Sequence, residues 1–292
     1  STPWVSRMAA ELTHLVKEEF DPLLIRALLI HNAKYPANNS MSMTDKVTQM
    51  GFGAPSSVQE MLYNSEDEIT LILRDTLEKG SFIEMFDFPF PKSLVDKDGN
   101  FVGQIIVTLV TKSLLDDKQA GEYCQSNIDI LFGTYETETD RDTSKKGIKN
   151  PKGLEEPQNI LLESLYSARV KGAHPFTGFE RECTLVKYGK KFHPVKKYAI
   201  DLSEMTTSNR QRYLRGDRKW YLKIEGLYRD FIEQDARARN YQLSQEYCLL
   251  LTIRDPNGKA PVYDEVAQQL DYKNFLHHNI QLRNVVTIDG TL

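Results

Sequence analysis

The spacing of apolar residues predicts that residues 1–63 of the chain are helical. Along the first segment, apolar side chains recur at helical spacing on one face: Trp4, Val5, Met8, Ala9, Leu12, Leu15 and Val16. The second segment begins at Asp21, a residue type that caps helices, and Pro22, which fits a first helical position. Its centre, LLIRALLIHNA (residues 23–33), is apolar on nearly every face, as in helices that are buried all round. Residues 1–63 are too few to surround such a helix, so the pattern predicts that neighbouring structure is missing.

A turn and a short helix are predicted to follow. GFGAP (residues 51–55) supplies turn glycines. Ser57 to Glu60 form a capping box, which predicts one short helix through Leu62.

The apolar period changes from helical to alternating near residue 66. EITLILRD and FIEMFDFPF each place alternate apolar side chains on one side: Ile69, Leu71 and Leu73 in the first, and Phe86, Phe88 and Phe90 in the second. Asp98-Gly99 marks a tight hairpin turn. Further strand patterns are FVGQIIVTLVTK, NIDILFGTYE, CTLVKYG, KWYLKIEGLY, YCLLLTIRD and IQLRNVVTI, and RDFIEQDARARN and YDEVAQQL are helical patterns among them.

These patterns predict that residues 66–292 form a mainly β, antiparallel, sandwich-like domain with helical insertions. Residues 136–158, ETETDRDTSKKGIKNPKGLEEPQ, are charged and contain almost nothing to bury. We expect them to form a solvated, mobile loop.

Composition narrows the classes of function. The net charge of −4 and a pI near 5.9 give no general attraction to nucleic acid. No apolar stretch approaches the roughly 20 residues of a membrane span. The cysteines, Cys124, Cys183 and Cys248, include no CxxC pair, which argues against a disulfide framework or a zinc site. We therefore expect a cytoplasmic protein with no metal, no cofactor, no nucleic-acid partner and no membrane partner.

Three segments of residues 1–63 resemble the subtilisin-like serine peptidases (subtilases). The nucleophile of that family lies in a Gly-Thr-Ser-x-x-Thr-Pro signature at the start of a buried helix, and Ser1-Thr2-Pro3 is similar to the end of that signature. WVSRMAAEL is similar to the helix that follows, DPLLIRALLIHNA to the next buried helix, and MGFGAPSSVQEML to the turn and short helix that close the catalytic domain. The chain departs from the family at Trp4, where histidine is common.

The resemblance implies that the chain is the C-terminal part of a serine endopeptidase, beginning just after the catalytic serine. In this register the serine would lie two residues before Ser1, so no residue of the chain is assigned as catalytic. The family order Asp, His, Ser places the other triad residues upstream as well. Residues 1–63 would be an α/β remnant, the C-terminal helices of the catalytic domain. Five residues would support the nucleophile helix, the apolar ones by being buried: Thr2, Pro3, Trp4, Val5 and Met8.

The implied partners are a protein or peptide substrate and the missing N-terminal catalytic portion. Bacterial subtilases with long β-rich tails in some cases lie beside AAA-type ATPases in the genome, so the resemblance also implies an ATPase of this type. Residues 66–292 would be an accessory domain, and the chain alone is expected to hydrolyse nothing. The alternative is a non-catalytic protein-interaction module, or a peptide- or carbohydrate-binding β-sandwich.

Two histidine motifs have a functional and a structural interpretation. His31 lies on the apolar second helix, where a hydrogen-bonded core histidine is favoured over a catalytic one. His277-His278 could bind a metal, but adjacent residues on a strand point to opposite faces, so we do not expect them to chelate together.

Three other stretches also have both a functional and a structural interpretation. RQRYLRGDRKW (residues 210–220) is basic and could bind RNA or an acidic partner, but a solvated loop leading into a strand is favoured. The aromatic residues of 86–90 could form a docking strip, but an edge strand that packs them inward is favoured. Residues 96–100, DKDGN, have a weak likeness to a calcium loop that a hairpin turn explains fully.

Overall fold

The computed structural model describes residues 2–16, 21–35, 43–62, 64–136, 157–166, 193–272 and 280–282. The helices are α1 (Thr2–Val16), α2 (Pro22–His31), α3 (Met43–Met50), α4 (Val58–Leu62), α5 (Thr207–Tyr213), α6 (Asp230–Arg239) and α7 (Val262–Tyr272). The strands are β1 (Glu68–Glu78), β2 (Phe82–Phe88), β3 (Gln104–Thr111), β4 (Ser126–Tyr135), β5 (Gln158–Asn159), β6 (Val195–Asp201), β7 (Lys219–Tyr228), β8 (Ser244–Arg254) and β9 (Ile280–Leu282). Short 3-10 helices span Asp117–Glu122, Glu163–Leu165 and Leu202–Glu204.

The strands form two antiparallel sheets. One has five strands in the order β6-β3-β8-β1-β9, and the other has four in the order β2-β7-β4-β5. Strand β8 is the centre of the first sheet, where Leu251 is paired with Leu71 of β1 and with Val107 of β3. The prediction of a mainly β, antiparallel region with helical insertions is thus confirmed at this level.

Both sheets contribute side chains to one buried hydrophobic cluster. Leu71 and Leu251 come from the five-stranded sheet, and Phe132 and Leu222 come from the four-stranded sheet. The alternation along β1 is the predicted one, because Ile69, Leu71 and Leu73 are all buried in this cluster.

A second cluster joins the N-terminal helices to the other face of the five-stranded sheet. Its helical members are Met8, Leu12, Leu24, Ile25, Ala27, Leu28, Val58 and Met61, and its sheet members are Ile72, Val110, Val195, Cys248 and Leu250. The five-stranded sheet of this same chain therefore packs against α2, a contact that the sequence pattern did not predict. The apolar character of α2 does not by itself indicate any further layer, and a boundary after residue 63 separates segments that share a core.

The start of α2 follows the predicted cap. Asp21 Oδ1 accepts hydrogen bonds from the backbone N–H groups of Leu23 at 2.8 Å and Leu24 at 3.1 Å. Asp21 Oδ2 also pairs with Arg74 Nη1 of β1 at 3.1 Å, so one carboxylate caps the helix and ties it to the sheet.

Asp21→Ala is expected to lower the free energy of unfolding by about 1–2 kcal/mol, because it leaves two helix N–H groups without their cap and removes the partner of Arg74. Thr206→Ala is the matched control, since Thr206 is the N-cap of α5 and forms no side-chain hydrogen bond there. The control should cost less than about 0.5 kcal/mol. Urea denaturation of both variants measures the difference, and equal losses would show that capping is not the cause.

The charged segment predicted as a mobile loop lies mainly outside the described residues, at 137–156. Its flanks are described. Glu136 accepts a hydrogen bond from Arg218 Nη1 at 2.7 Å, and Gln158 pairs with Thr134 as part of β5.

Candidate functional site

The five predicted support residues occupy the first two turns of α1, and one of them is buried. Met8 is 4% exposed and contacts the cluster beneath the helices, whereas Trp4 is 52% exposed. Thr2 and Pro3 are exposed, and Val5 is half-buried. In this chain Trp4 is not buried, because the α1 members of the cluster begin at Met8. Leu12, one turn after Met8, is the second buried anchor and was not among the predicted support residues.

His31 is a core residue, as predicted. Its Nδ1 lies 2.9 Å from Thr108 Oγ1 and its Nε2 lies 2.8 Å from Thr252 Oγ1. Thr252 Oγ1 is in turn 2.7 Å from Thr70 Oγ1. A neutral imidazole has one donor and one acceptor, and a hydroxyl group can serve as either. The imidazole and the threonine hydroxyls can therefore satisfy one another's hydrogen bonds in the buried space between α2 and the sheet.

A half-buried lysine whose amine lies at the end of α2 is a feature that sequence analysis missed. Lys197 of β6 donates through Nζ to the carbonyl oxygens of Ile30 at 2.9 Å and Ala33 at 2.8 Å. Burial lowers the pKa of Lys197 to about 7, and repulsion from Lys34 acts in the same direction. The only signal in the sequence is a pair of lysines inside a short β-branched and aromatic stretch, VKKYAI (residues 195–200).

The basic segment 210–220 is more ordered than predicted. It comprises the end of α5 and the start of β7, and Arg210, Arg215 and Arg218 are paired with acidic residues. Arg210 pairs with Asp96, and Arg215 pairs with Asp217 at 2.9 Å. Arg218 has only 3% of its side chain exposed, so the prediction of a solvated loop is wrong at that position.

Arg218 holds the start of β7 against β4. Its Nη1 pairs with Glu136 at 2.7 Å, and its Nε donates to Thr134 Oγ1 at 3.0 Å. These contacts use the guanidinium within the chain, which favours a structural role for this arginine over recognition of an acidic partner.

The prediction that the aromatic residues of 86–90 pack inward from an edge strand is confirmed in part. Strand β2 is an edge of its sheet, and Phe88 and Phe90 are buried. Phe86 instead contacts Tyr135 and Tyr221 on the opposite face. The prediction of one shared side is wrong because a bulge at Asp87, whose φ is 54°, shifts the pairing between Phe86 and Phe88.

The DKDGN stretch forms the predicted hairpin turn. Asp96 Oδ1 accepts from the N–H groups of Asp98 at 3.0 Å and Asn100 at 2.9 Å, and Gly99 has a φ of 77°. Within the described residues, no group of three His, Cys, Asp or Glu side chains could hold a metal ion. His277, His278 and Cys183 lie outside those residues.

The two cysteines that the structure describes, Cys124 and Cys248, are buried free thiols. Burial raises the pKa of the Cys248 thiol, which disfavours the reactive thiolate. Among the helices of the described ranges, none combines the length and apolar character that a membrane crossing requires.

Comparisons with known proteins add no relative. No protein-family model matches the sequence, and no curated protein matches it.

Proposed function

We propose that the chain is the C-terminal portion of a subtilisin-like serine endopeptidase. In this proposal the Asp/His/Ser triad lies upstream, and the helices of residues 1–63 complete the catalytic domain. Residues 66–292 form an accessory β-sandwich that stabilises the peptidase or presents substrates to it. The proposal rests on the order of the three family-like segments, which coincide with α1, with α2 and with the turn before α4.

The observation that carries the proposal is the packing of these three segments on one another. Met8 and Leu12 of α1, Leu24 and Leu28 of α2, and Val58 and Met61 of α4 share one buried cluster. The turn between them requires glycine, because a Cβ atom at Gly53 would lie 2.5 Å from the carbonyl oxygen of Lys34, and its φ is 97°. Lys34 and Ala54 exchange two backbone hydrogen bonds of 2.9 Å beside it.

This packing has a use in the proposed parent enzyme. A serine two residues before Ser1 would lie at the N-terminal end of α1, where free N–H groups and the helix dipole favour the negative charge of the transition state. The serine attacks the peptide carbonyl, the histidine takes its proton and the aspartate orients the histidine. Met8 and Leu12 would hold that helix in place, and a misplacement of about 1 Å can cost roughly 100-fold in rate.

The proposal extends to partners and location. The parent would act on a protein or peptide substrate, with an AAA-type ATPase as the partner that the resemblance implies. Buried free thiols at Cys124 and Cys248 agree with a reducing, cytoplasmic location. The alternative function, a non-catalytic peptide-binding module, is favoured by a groove on the β-rich region that the next subsection describes.

The chain alone is expected to cleave no fluorogenic peptide, whereas the same chain joined to its upstream coding region is expected to do so in a serine-inhibitor-sensitive way. In the longer protein, Met8→Ala should lower kcat by roughly 10- to 100-fold by loosening the serine helix. Leu15→Ala is the matched control, because Leu15 lies on the same helix and is 48% exposed.

Two outcomes contradict the proposal. One is inhibitor-sensitive cleavage by the chain alone. The other is an upstream coding region that lacks Gly-Thr-Ser at the expected register and an aspartate and a histidine motif farther back.

A further inference from the structure

An open groove of about 1130 Å³ lies between the hairpin of residues 95–101 and α5. Three contacts between its two walls fix its shape. Phe101 donates its N–H to the Leu214 carbonyl at 2.5 Å, and Gly216 donates to the Gly99 carbonyl at 2.8 Å. Arg210 of α5 forms an ion pair with Asp96 of the hairpin. The shape of the groove is therefore fixed by contacts within the chain, as in most ligand sites.

The lining of the groove combines apolar and hydrogen-bonding groups. Val95 is half-buried and Phe101 is 5% exposed, with its ring packed on that of Trp220 at 5.4 Å. On the opposite wall, Thr207 and Gln211 are exposed. Neither of these two side chains forms a hydrogen bond with another part of the described chain, so both can serve a ligand.

The charged groups of the groove differ in whether they are already paired. Arg215 is paired with Asp217 at 2.9 Å and with Glu136 at 3.2 Å. Lys92 and Asp98 are exposed, and neither forms an ion pair with any residue that the structure describes. The groove thus offers one unpaired cation and one unpaired anion.

This arrangement complements a ligand that has both signs of charge, apolar side chains and amide groups. A peptide has all of these. A phosphodiester chain is negative throughout, so Asp98 and the overall charge of −4 disfavour it. We propose that the groove binds an extended peptide segment, with an acidic side chain of the peptide at Lys92 and an apolar side chain over Val95 and Phe101. Thr207 and Gln211 hydrogen-bond to its main chain.

This inference does not depend on the proposed peptidase function, because it concerns binding by the chain itself. The probe is a fluorescein-labelled heptapeptide that contains two glutamates around a leucine and one lysine to meet Asp98. Fluorescence anisotropy measures its binding at low salt. Lys92→Glu is expected to weaken binding about tenfold, through loss of one charge-assisted contact and repulsion of the glutamates. Gln211→Glu, an isosteric change on the other wall, is expected to weaken it as well.

Lys97→Glu is the matched control. Lys97 is exposed on the same hairpin but does not line the groove, so the same change of charge should alter affinity by less than about twofold if the contact is local. Circular dichroism checks that all three variants remain folded, which we expect because each replaced side chain is exposed. A peptide with glutamines in place of the glutamates should bind the unmodified chain more weakly.

Four outcomes would overturn the proposal. They are the absence of saturable peptide binding up to about 1 mM, equal weakening by Lys97→Glu and Lys92→Glu, equal affinity for the glutamine peptide, and tighter binding of a single-stranded oligonucleotide that Lys92→Glu abolishes.

Discussion

Trp220→Ala is expected to lower the free energy of unfolding by about 3–5 kcal/mol, the range for truncating a buried aromatic side chain. Trp220 is 2% exposed, and its ring stacks on Phe90 with centroids 3.9 Å apart. It also lies 5.0 Å from Phe132 and 5.4 Å from Phe101, so four rings share one packed volume. Its Nε1 has no hydrogen-bond partner in the described chain, so the loss would come from packing and not from a hydrogen bond.

The chain offers its own control for this change. Trp4→Ala makes the same chemical truncation at a side chain that is 52% exposed, and it should change the free energy of unfolding by less than about 1 kcal/mol. Guanidinium denaturation of both variants gives the comparison. A Trp220→Ala loss below about 1 kcal/mol, or equal losses at the two positions, would contradict the described core.

The strands that could be predicted from sequence are those in which burial follows the period of two. Strand β1 is the clearest case, since Ile69, Leu71 and Leu73 all belong to the buried cluster to which both sheets contribute. Its other face is also buried, because Ile72 packs under the N-terminal helices. The run CLLLTI (residues 248–253) in β8 contains the same information, since a strand buried on both faces reads as continuously apolar. This continuous apolar run therefore indicates that both faces of the five-stranded sheet are covered.

Strand β6 was missed because its pattern is broken by lysines whose partners are distant in the chain. Lys196 is 1% exposed and donates to the Ile128 carbonyl at 3.0 Å, beside Asp129. No local pattern specifies such a pairing, and lysine usually indicates an exposed position. The bulge at Asp87 was missed for a related reason. A positive φ there has no glycine to mark it.

The groove could not be predicted because its walls come from separate segments. The sequence predicts the turn at Asp98-Gly99 and the basic character of residues 210–220, but not that they lie side by side. The isolated bridge between Asn100 and Arg215 brings them together. Long-range pairs of this kind depend on the strand order, which places β7 next to β2.

The partly desolvated amine of Lys197 makes the stability of the fold depend on pH. The pKa of Lys197 is about 7 in the folded chain, against an ordinary value of 10.5. Above pH 7 the unfolded chain therefore binds a proton at this position that the native chain does not. Stability rises with pH wherever the unfolded state binds more protons, by up to about 1.4 kcal/mol per pH unit for one group. Below pH 7 the amine is charged in both states, and the cost of burying that charge is fully present.

Comparison with Lys197→Met isolates this contribution, because methionine has a similar length and does not titrate. Between pH 7 and pH 9.5 the unmodified chain is expected to gain about 3 kcal/mol of stability relative to the variant. The neutral amine keeps two N–H groups, enough for the carbonyl oxygens of Ile30 and Ala33, so deprotonation does not release α2.

Urea denaturation across this pH range measures the difference, and its slope with pH is the test. Lys112→Met is the matched control, because the Lys112 side chain is 69% exposed and pairs with Glu246 at the surface. The difference between that variant and the unmodified chain should stay nearly constant with pH. A flat or falling difference for Lys197→Met would show that the Lys197 amine is not buried at the end of α2. A rise confined to Lys197 would show that the charged form of this amine is disfavoured by its position between β6 and the end of α2.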